Sequence, residues 1–460
     1  MKKQEKGTAP KNPQPVFTRR DFIKYSSMIT AGLAIPGIVN GCASFKPRQD
    51  CLAQIARTES RRSDAVFAPA RIGSITVRNH ILRSATTLGM AEKDGRPKPA
   101  LTNAYVELCE GGVGAIITGA LAVQKNGRLG SSYTYLFHQD DYIADYRRVT
   151  DRVHVHNTPI IAQIVHGGRQ TRRAVTGEAT VAPSPITDPY YNEETPRELT
   201  ELEIHEVIQS FISATERARK AGFDGVQLHA AHGYLLSGFL SSATNKRTDQ
   251  WGGSMENRFR IIREILQGAR KKVGDYPILI KINAYDYQSD GMRVSESVRI
   301  AVMLQDAGCD AIEVSCGMGA DGFSTIRVPE IPSEAILAFS FRYKDSNAVV
   351  KTILPVLAPM LVKRHEPLFN YNVCAAQEIK EQVTIPVIVV GGIRTLPDIE
   401  QIIGNNMADF VAMGRPFIIE PDIVNKFKTE SLQASTCINC GYCLIAIEQG
   451  ETRCFYGQLT

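Results

Sequence analysis

The chain has 460 residues, of which 43% are hydrophobic and 22% are charged, so it can bury a large globular core. Its formal net charge of +5 comes from 53 basic and 48 acidic side chains. Residues 1–24 hold seven Lys or Arg and two acids, so the rest of the chain is neutral, with 46 of each. A neutral body argues against a nucleic-acid partner, and the lack of repeats argues against a repetitive architecture.

The N-terminus explains the uneven charge. Arg19 and Arg20 are adjacent and precede an uncharged, mostly apolar run of small residues over 25–41. This order resembles a twin-arginine export signal and predicts a signal peptide over residues 1–41. Such a route carries proteins that are already folded and loaded with a cofactor, so the resemblance implies an exported cofactor protein.

The end of that segment offers a further expectation. Residues 39–42 (VNGC) resemble a lipoprotein processing box, which implies that a lipidated Cys42 tethers the chain to a membrane. Simple cleavage nearby and an uncleaved anchor are the alternatives. We expect a periplasmic protein, or one held on the outer face of the cytoplasmic membrane, with residues 42–66 as a polar flexible tether.

From residue 67 onward, short apolar runs alternate with amphipathic helical patterns such as 201–221 and 295–307. This rhythm is typical of βα units around a parallel sheet, whose buried strands read as continuous apolar runs. Eight repeats over residues 67–430 predict a TIM (β/α)8 barrel, with a doubly wound sheet as the alternative. The eight predicted strands are residues 80–84, 115–119, 159–165, 225–229, 278–283, 311–315, 386–390 and 410–413.

The segment 225–260 carries the strongest chemical signal. An apolar strand there delivers His229, His232 and Tyr234 together toward the end of a barrel strand. Two imidazoles three residues apart can donate hydrogen bonds to one oxygen, and a nearby phenol can deliver a proton to an adjacent carbon. The same histidine spacing also occurs in metal sites and in packed cores.

The run that follows decides between these interpretations. It resembles the signature of the Old Yellow Enzyme family of FMN-dependent oxidoreductases, including the 2,4-dienoyl-CoA reductase and trimethylamine dehydrogenase relatives, and the resemblance covers nearly all of residues 67–430. The residues that carry it are Asn245, Lys246, Arg247, Asp249, Trp251, Gly252, Gly253, Ser254, Asn257 and Arg258. The resemblance implies a barrel with FMN at the carboxyl ends of its strands.

The resemblance also implies roles for residues after the first three strands. Residues near the flavin ring would be Ser84, Ala85, Thr87, Ala120, Gln163 and His229. The Thr87 hydroxyl would touch the C4 carbonyl edge and tune the reduction potential, whereas the Gln163 amide would pair with the pyrimidine edge. Residues 163–170 resemble the family's QLxHxGRQ run, in which His166 either contacts substrate or packs behind the site.

Later strands supply the charged and phosphate-binding positions. Lys281 lies inside an apolar strand, where an unpaired ammonium costs several kcal/mol, so an anionic partner should meet it. By resemblance that partner is flavin N1 and O2; a structural salt bridge is the alternative. Gly391 and Gly392 end the seventh strand, and Gly414 and Arg415 end the eighth, which is the standard phosphate site of such barrels.

The resemblance implies reduction of an activated C=C bond in an unsaturated carbonyl compound. His229 and His232 would hold the carbonyl oxygen, flavin N5 would give hydride to the β-carbon, and Tyr234 would protonate the α-carbon. One alternative is a flavoprotein dehydrogenase that oxidises an amine or other small donor and passes electrons onward. A non-redox phosphate-binding barrel is the other.

Four of the ten cysteines crowd into the C-terminal tail over residues 431–460. Cys437, Cys440, Cys443 and Cys454 follow the spacing C-x2-C-x2-C-x10-C, which resembles an iron–sulfur ligand set and suits one [4Fe–4S] cluster. The iron–sulfur branch of the family has three residues between its second and third cysteines, whereas this chain has two. Zinc, free thiols and two disulfides are the alternatives.

The electron donor stays open at this point. The dienoyl-CoA reductase and trimethylamine dehydrogenase relatives continue into nucleotide-binding domains, whereas this sequence has no later GxGxxG motif. NAD(P)H would then dock on the flavin face, or electrons would come through the tail from a cytochrome, a ferredoxin-like protein or a quinol-linked donor. Residues 317–375 form a long insertion between strands 6 and 7, whose apolar helices would cap the site, meet a partner, touch a membrane or pack on the barrel.

Overall fold

The computed structural model describes residue 51, residues 64–191 and residues 194–459. The predicted signal peptide, the lipidation of Cys42 and most of the predicted tether lie outside the described residues and stay predictions. Within the described part of the chain, no helix is long and apolar enough to cross a bilayer.

The core of the molecule is a closed ring of eight parallel strands. Each strand pairs with the next one in the chain, and the last pairs with the first through Val411 and Ile81, which closes the barrel. The strands are β1 (Ile81–Arg83), β2 (Ile116–Ile117), β3 (Ile160–Val165), β4 (Gly225–Ala230), β5 (Ile278–Asn283), β6 (Ala311–Ser315), β7 (Val387–Val390) and β8 (Phe410–Met413).

Fourteen helices cover or cap this ring in the described chain. They are α1 (Pro99–Glu110), α2 (Ile143–His154), α3 (Arg173–Thr176), α4 (Glu201–Lys220), α5 (Leu235–Leu240), α6 (Met255–Val273), α7 (Val294–Asp306), α8 (Ser333–Phe339), α9 (Ala348–Leu361), α10 (Val373–Lys380), α11 (Leu396–Gly404), α12 (Pro416–Ile419), α13 (Ile423–Lys428) and α14 (Tyr442–Ala446). Short 3-10 turns and strands outside the barrel are Asp64–Phe67, Ala70–Ile72, Ile75–Val77, Leu121–Ala122, Tyr135–Leu136, Asp140–Tyr142, Val181–Ala182, Arg197–Glu198 and Gly319–Asp321.

The predicted TIM barrel is confirmed, and the doubly wound alternative is wrong because the sheet closes on itself. All eight predicted strands form, with ends that differ by at most two residues. Both helical patterns also form, as α4 and α7. Helix α4 begins at a capping box, in which the Thr200 hydroxyl accepts from the Glu203 N–H at 3.3 Å and the Glu203 carboxylate accepts from the Thr200 N–H at 2.8 Å.

One end of the barrel is plugged and the other carries the site. The antiparallel hairpin of Ala70–Ile72 and Ile75–Val77 packs its buried Ile72, Ile75 and Val77 against inward residues of the barrel strands. This hydrophobic plug closes the barrel at the amino-terminal ends of its strands. Polar side chains are therefore concentrated toward the opposite end, where the strands finish.

The connection between β6 and β7 contains α8, α9 and α10, as expected for a long insertion. It is tied to the C-terminal tail, because Glu448 accepts the Phe341 N–H at 2.6 Å and Gln449 accepts from Lys344 Nζ at 3.1 Å. The tail returns to the first βα loop as well, since the Thr452 N–H donates to the Leu88 carbonyl at 2.8 Å. Insertion and tail thus form one wall over the barrel end.

A disulfide joins Cys51 to Cys374 on α10, across a sequence separation of 323 residues. Neither cysteine has a partner that could be predicted from the sequence. Cross-linking residues so far apart removes much of the freedom of the unfolded chain.

We predict that Cys374→Ser lowers the free energy of unfolding by about 2–5 kcal/mol, the usual cost of losing a native disulfide. Urea denaturation of both proteins with and without dithiothreitol measures the loss. The reductant should destabilise the wild type and leave the variant unchanged. Equal sensitivity of both proteins to dithiothreitol would contradict this assignment.

Candidate active site

A cavity of about 840 Å³ lies over the carboxyl ends of the barrel strands. The structure brings every sequence-predicted catalytic and flavin-contacting residue to its wall. These residues are Ser84, Ala85, Thr87, Ala120, Gln163, His229, His232, Tyr234, Lys281, Gly391, Gly392, Gly414 and Arg415. They come from seven of the eight strands or the loops that follow them, as chemistry at the carboxyl face of a barrel requires.

His229, His232 and Tyr234 form one patch of the wall. His229 lies in β4, and the chain then turns sharply because His232 and Gly233 both have left-handed backbone angles, with φ of +65° and +84°. The His232 N–H donates to Asn283 Oδ1 at 3.0 Å, which fixes this turn. The His229 ring centroid lies 5.0 Å from that of His232 and 4.8 Å from that of Tyr234. The three side chains therefore address a common volume.

Hydrogen bonds define what each imidazole can offer. His229 Nδ1 accepts from the Ala231 N–H at 3.4 Å, which places the His229 proton on Nε2. His232 Nε2 lies 2.7 Å from Ser315 Oγ, a partner that the sequence analysis did not identify. His232 is thus oriented by Ser315, and it can donate from Nδ1 when Ser315 donates to Nε2.

Burial sets the protonation states in this patch. Desolvation, followed by the charge of Lys281, holds the pKa of His232 well below its usual range. Desolvation also lowers the pKa of His229, with His232 and Lys281 adding to the effect. Desolvation and then Asp188 raise the pKa of Tyr234 to about 12. Neutral imidazoles and a protonated phenol are hydrogen-bond donors, which suits binding of an oxygen that gains negative charge.

A buried polar network lies beneath this patch. Lys281 Nζ lies 3.2 Å from Glu313 Oε1 and donates to Ser84 Oγ at 3.1 Å. The Ser84 hydroxyl donates to Glu313 Oε1 at 2.7 Å. Gln227 donates to Glu313 Oε2 at 2.7 Å and accepts from Gln163 Nε2 at 2.7 Å. The Glu313 carboxylate therefore positions two residues of the cavity wall. It contacts Lys281 directly and reaches Gln163 through Gln227.

The anionic partner expected for Lys281 is thus Glu313, and the salt-bridge alternative is the one the structure contains. Glu313 and Gln227 were not among the predicted site residues. The signal that singled out Lys281, a polar residue inside an apolar strand, was also present in AIEVS and GVQLHA. Lys281 still lines the cavity, so it can face a bound anion while it keeps Glu313.

His166 does not reach the cavity wall. Its Nδ1 accepts from the Gly168 N–H at 3.0 Å, and its ring packs on Gly127, where an added Cβ would lie 2.6 Å from the ring. Burial alone lowers the pKa of His166 to about 3. Of the two alternatives given for this residue, the structure supports packing behind the site.

Glycines form the turns after β7 and β8, and Gly391, Gly392 and Gly414 all line the cavity. Gly392 has a φ of +74°, and a Cβ there would lie 2.4 Å from the Leu368 carbonyl oxygen. Arg415 is held beside these turns, because its guanidinium donates to the carbonyls of Arg327 and Asn439, both at 3.1 Å. The arrangement offers backbone groups and a fixed positive charge, which are the parts of a phosphate site.

Arg327 of the insertion is a further residue that sequence reasoning missed. Its guanidinium lies 4.0 Å from the Tyr371 ring centroid and donates to the hydroxyls of Tyr285 at 2.8 Å and Tyr287 at 2.6 Å. Tyr287 and Tyr371 both line the cavity. The insertion therefore supplies the cation that holds this aromatic wall in place. This agrees with the prediction that the insertion caps the site.

The four tail cysteines line a second cavity of about 260 Å³. All four are free thiols, so the alternative of two tail disulfides is not found in the structure. In the described residues, no group of three or more Cys, His, Asp or Glu side chains is arranged to hold one metal ion. Cys443, Arg415 and Ile418 line both cavities, so the cysteine cavity adjoins the larger one.

Comparison with known proteins identifies the family. Residues 65–323 and 339–433 match the model of the NADH:flavin oxidoreductase / NADH oxidase family. The chain belongs to this family. The match covers well over half of the chain, and it confirms the predictions of an FMN-dependent oxidoreductase and of an Old Yellow Enzyme-like barrel. The alternative of a non-redox phosphate-binding barrel is therefore wrong.

Relatives differ in how much of their length this chain covers. It is 34% identical to an NADH oxidase of Thermoanaerobacter brockii over 82% of the chain and 52% of that protein. It is 33% identical to a metal reductase of Desulforamulus reducens over 82% of the chain and 50% of the relative. The chain thus spans about half the length of these two relatives. An NADPH dehydrogenase of Bacillus velezensis is 32% identical over 77% of the chain and 92% of its own length.

Solved structures share the fold. A 2-naphthoyl-CoA reductase in complex with 2-naphthoyl-CoA superposes with a TM-score of 0.72 at 24% identity, over 85% of this chain and 56% of that one. An Old Yellow Enzyme homologue of Zymomonas mobilis gives a TM-score of 0.65 at 24% identity, over 82% of this chain and 96% of that one. Both support the barrel architecture.

We predict that Glu313→Gln destabilises the protein by about 3–5 kcal/mol, because it leaves the Lys281 ammonium buried without a counter-charge. The double variant with Lys281→Met should recover most of that loss, since no unpaired charge remains. Urea denaturation of the wild type, the two single variants and the double variant gives the coupling free energy between the two side chains. Additive losses would show that the two side chains do not depend on each other.

Proposed function

We propose that this protein reduces activated C=C bonds of unsaturated carbonyl compounds with FMN as its redox cofactor. The observation that carries the proposal is the patch of His229, His232 and Tyr234 in one wall of the cavity. Two neutral hydrogen-bond donors can stabilise the oxygen of an enolate-like species, and a protonated phenol beside them can supply the proton that its carbon takes up.

The residues present fit FMN. Gln163 and Lys281 are fixed at the cavity wall by Glu313 and Gln227 and would hold the polar edge of the ring, with Ser84, Ala85, Thr87 and Ala120 against it. Gly391, Gly392, Gly414 and Arg415 would hold the phosphate at the β7 and β8 ends. When bound, FMN supplies the two-electron reducing chemistry that the side chains lack.

The chain's own residues then bind, polarise and protonate the substrate. His229 Nε2 and the imidazole of His232 would donate to the carbonyl oxygen and stabilise the negative charge that develops there. Tyr234 would give its proton to the α-carbon, and its raised pKa means that the proton is present throughout the neutral range. The alternative is that the enzyme oxidises an amine or another small donor. Mixing the oxidised enzyme with candidate donors in the absence of oxygen distinguishes the two, because a true donor would bleach the flavin absorbance.

We predict that Tyr234→Phe slows reoxidation of the reduced enzyme by an enone such as 2-cyclohexenone by about 10²- to 10⁴-fold, the usual contribution of a general acid. Flavin affinity should be unchanged because the phenyl ring is kept. Anaerobic stopped-flow absorbance of the flavin measures the rate.

Tyr191→Phe is the matched control, because Tyr191 is another half-buried phenol that lines the cavity. We expect it to keep most of the rate. The assignment of Tyr234 fails if its variant reoxidises at the wild-type rate, and a loss confined to Tyr191→Phe would transfer the role to that residue.

We further propose that the tail holds a [4Fe–4S] cluster. The spacing of the four cysteines and their place in one cavity support this proposal. The thiols would have to converge when the cluster binds, because no three of them surround one metal position in the described chain. The cavity adjoins the larger one through Cys443, Arg415 and Ile418, which favours electron delivery from a protein partner or a quinol-linked donor. NAD(P)H docking in the cavity, suggested by the names of the relatives, is the alternative donor.

We predict about four irons and four sulfides per chain in protein purified without oxygen. Cys443→Ser should remove most of the iron and leave FMN in place. Cys309→Ser is a matched control, because Cys309 is a buried free thiol whose Sγ donates to the carbonyl oxygen of Ile278, at the beginning of β5. Full flavin with no iron in the wild type would rule out the cluster and favour direct reduction of the flavin.

We also propose that the protein works outside the reducing cytoplasm. The twin-arginine pattern around Arg19 and Arg20 supports export. A disulfide between Cys51 and Cys374 agrees with it, since such bonds persist in oxidising compartments. Lipidation of Cys42 would add a membrane tether.

A further inference from the structure

Helix α9 of the insertion presents an apolar side to solvent. Aliphatic residues recur on it at intervals of four, three and four residues, which places them on one side of a helix. Their exposed fractions are 63% for Val349, 45% for Ile353, 67% for Val356 and 78% for Met360. Leu357 and Leu361, which are also exposed, widen this side. We call these six residues the α9 apolar face.

The other side of α9 is already packed. Ala358 is buried against Val328 and Ile331, with Leu354 and Val362 partly buried beside it. A surface helix that buries one side normally turns polar residues outward, so two apolar sides indicate a second contact. No segment of the described chain covers the α9 apolar face, as its exposure shows.

Charge indicates what that contact is. Residues 342–364 hold five basic side chains and one acidic one, whereas the chain beyond residue 24 is neutral as a whole. Lys351 lies within α9, and Lys363 and Arg364 follow its end; all three are exposed. Apolar residues flanked by Lys and Arg favour an anionic lipid surface. A second copy of the chain would bring these positive charges against each other and is disfavoured.

The length of α9 gives the mode of contact. Fourteen residues extend about 21 Å, which is too short to cross the hydrocarbon core of about 30 Å. An exposed apolar helix of this length with basic flanks lies in the plane of the interface.

We propose that the α9 apolar face docks the protein on an anionic membrane surface. The end of α9 also reaches the active-site cavity, because Leu361, Val362 and Lys363 line it. Docking therefore places the cavity wall beside the lipid, where apolar substrates or quinol-type donors dissolve. The proposal stands on α9 itself and does not depend on the proposed reaction or on lipidation of Cys42.

A tryptophan at the tip of the face tests this in the full chain. The one native tryptophan, Trp251, is 1% exposed and gives a constant background. With vesicles of phosphatidylglycerol and phosphatidylcholine, Met360→Trp emission should shift to the blue and be quenched by lipids with brominated acyl chains. Vesicles of phosphatidylcholine alone should give a smaller shift. Val155→Trp is the matched control, since Val155 is 74% exposed just after α2 and precedes β3, at the opposite end of the barrel.

The outcomes separate docking by α9 from other kinds of binding. If the protein floats with the vesicles while Met360→Trp emission stays unchanged, another segment binds the membrane and the proposal is wrong. Emission that is already blue-shifted without lipid, and unchanged by vesicles, would mean that a second copy or another part of the chain covers α9, which also overturns it.

A variant that removes one positive charge from α9 tests the docking proposal independently. Lys351→Gln in the Met360→Trp background should weaken partitioning onto the anionic vesicles about fivefold, the effect of one basic residue near such a surface. Lys272→Gln is the control, because Lys272 is exposed at the end of α6, just before β5. Equal partitioning of the two variants would contradict a contact through α9.

Discussion

The buried pair of Lys281 and Glu313 is the interaction on which the site depends. Neighbouring strands β5 and β6 place the two residues opposite each other in register. Glu313 is completely buried, so its charge needs both Lys281 and the donors Ser84 and Gln227. The polar side chains at the cavity wall therefore cannot be exchanged one at a time, because each holds another in place through one carboxylate.

The cavity is completed by two segments that lie outside the regular βα pattern. The insertion contributes Tyr371, whose ring Arg327 contacts from behind, and the tail contributes Cys443 and Glu448 to the same wall. These two segments are hydrogen bonded to each other, so a change in one alters the other. Variation of loops over a constant barrel is how this fold supports different substrates. The residues of this cavity wall that lie outside the βα units include members of α8, α9 and the tail.

The barrel could be predicted from sequence because apolar runs are local signals. The residues of the cavity wall could be predicted because the resemblance to a known family assigned them. The hydrogen-bond and ion-pair partners of these site residues could not be predicted. Glu313 and Ser315 lie far in sequence from Lys281 and His232, and only the strand register brings them within hydrogen-bond distance. The Cys51–Cys374 disulfide spans 323 residues and has no local signature. His166 could be placed just after its strand, but its role in packing depends on the position of its ring, which the sequence does not give.

Two groups of cysteines, the disulfide pair and the four tail thiols, bear on where the proposed cluster would be acquired. Cys51 and Cys374 are oxidised, whereas the four tail cysteines face one cavity as free thiols. If the protein is exported as proposed, four thiols that line one cavity would be open to oxidation unless a ligand occupied them. Assembly of a cluster before export would protect them, and the disulfide would form afterwards. A folded, cofactor-loaded chain is also the cargo expected of a twin-arginine signal, so the proposed cluster and the proposed export would require the same order of events.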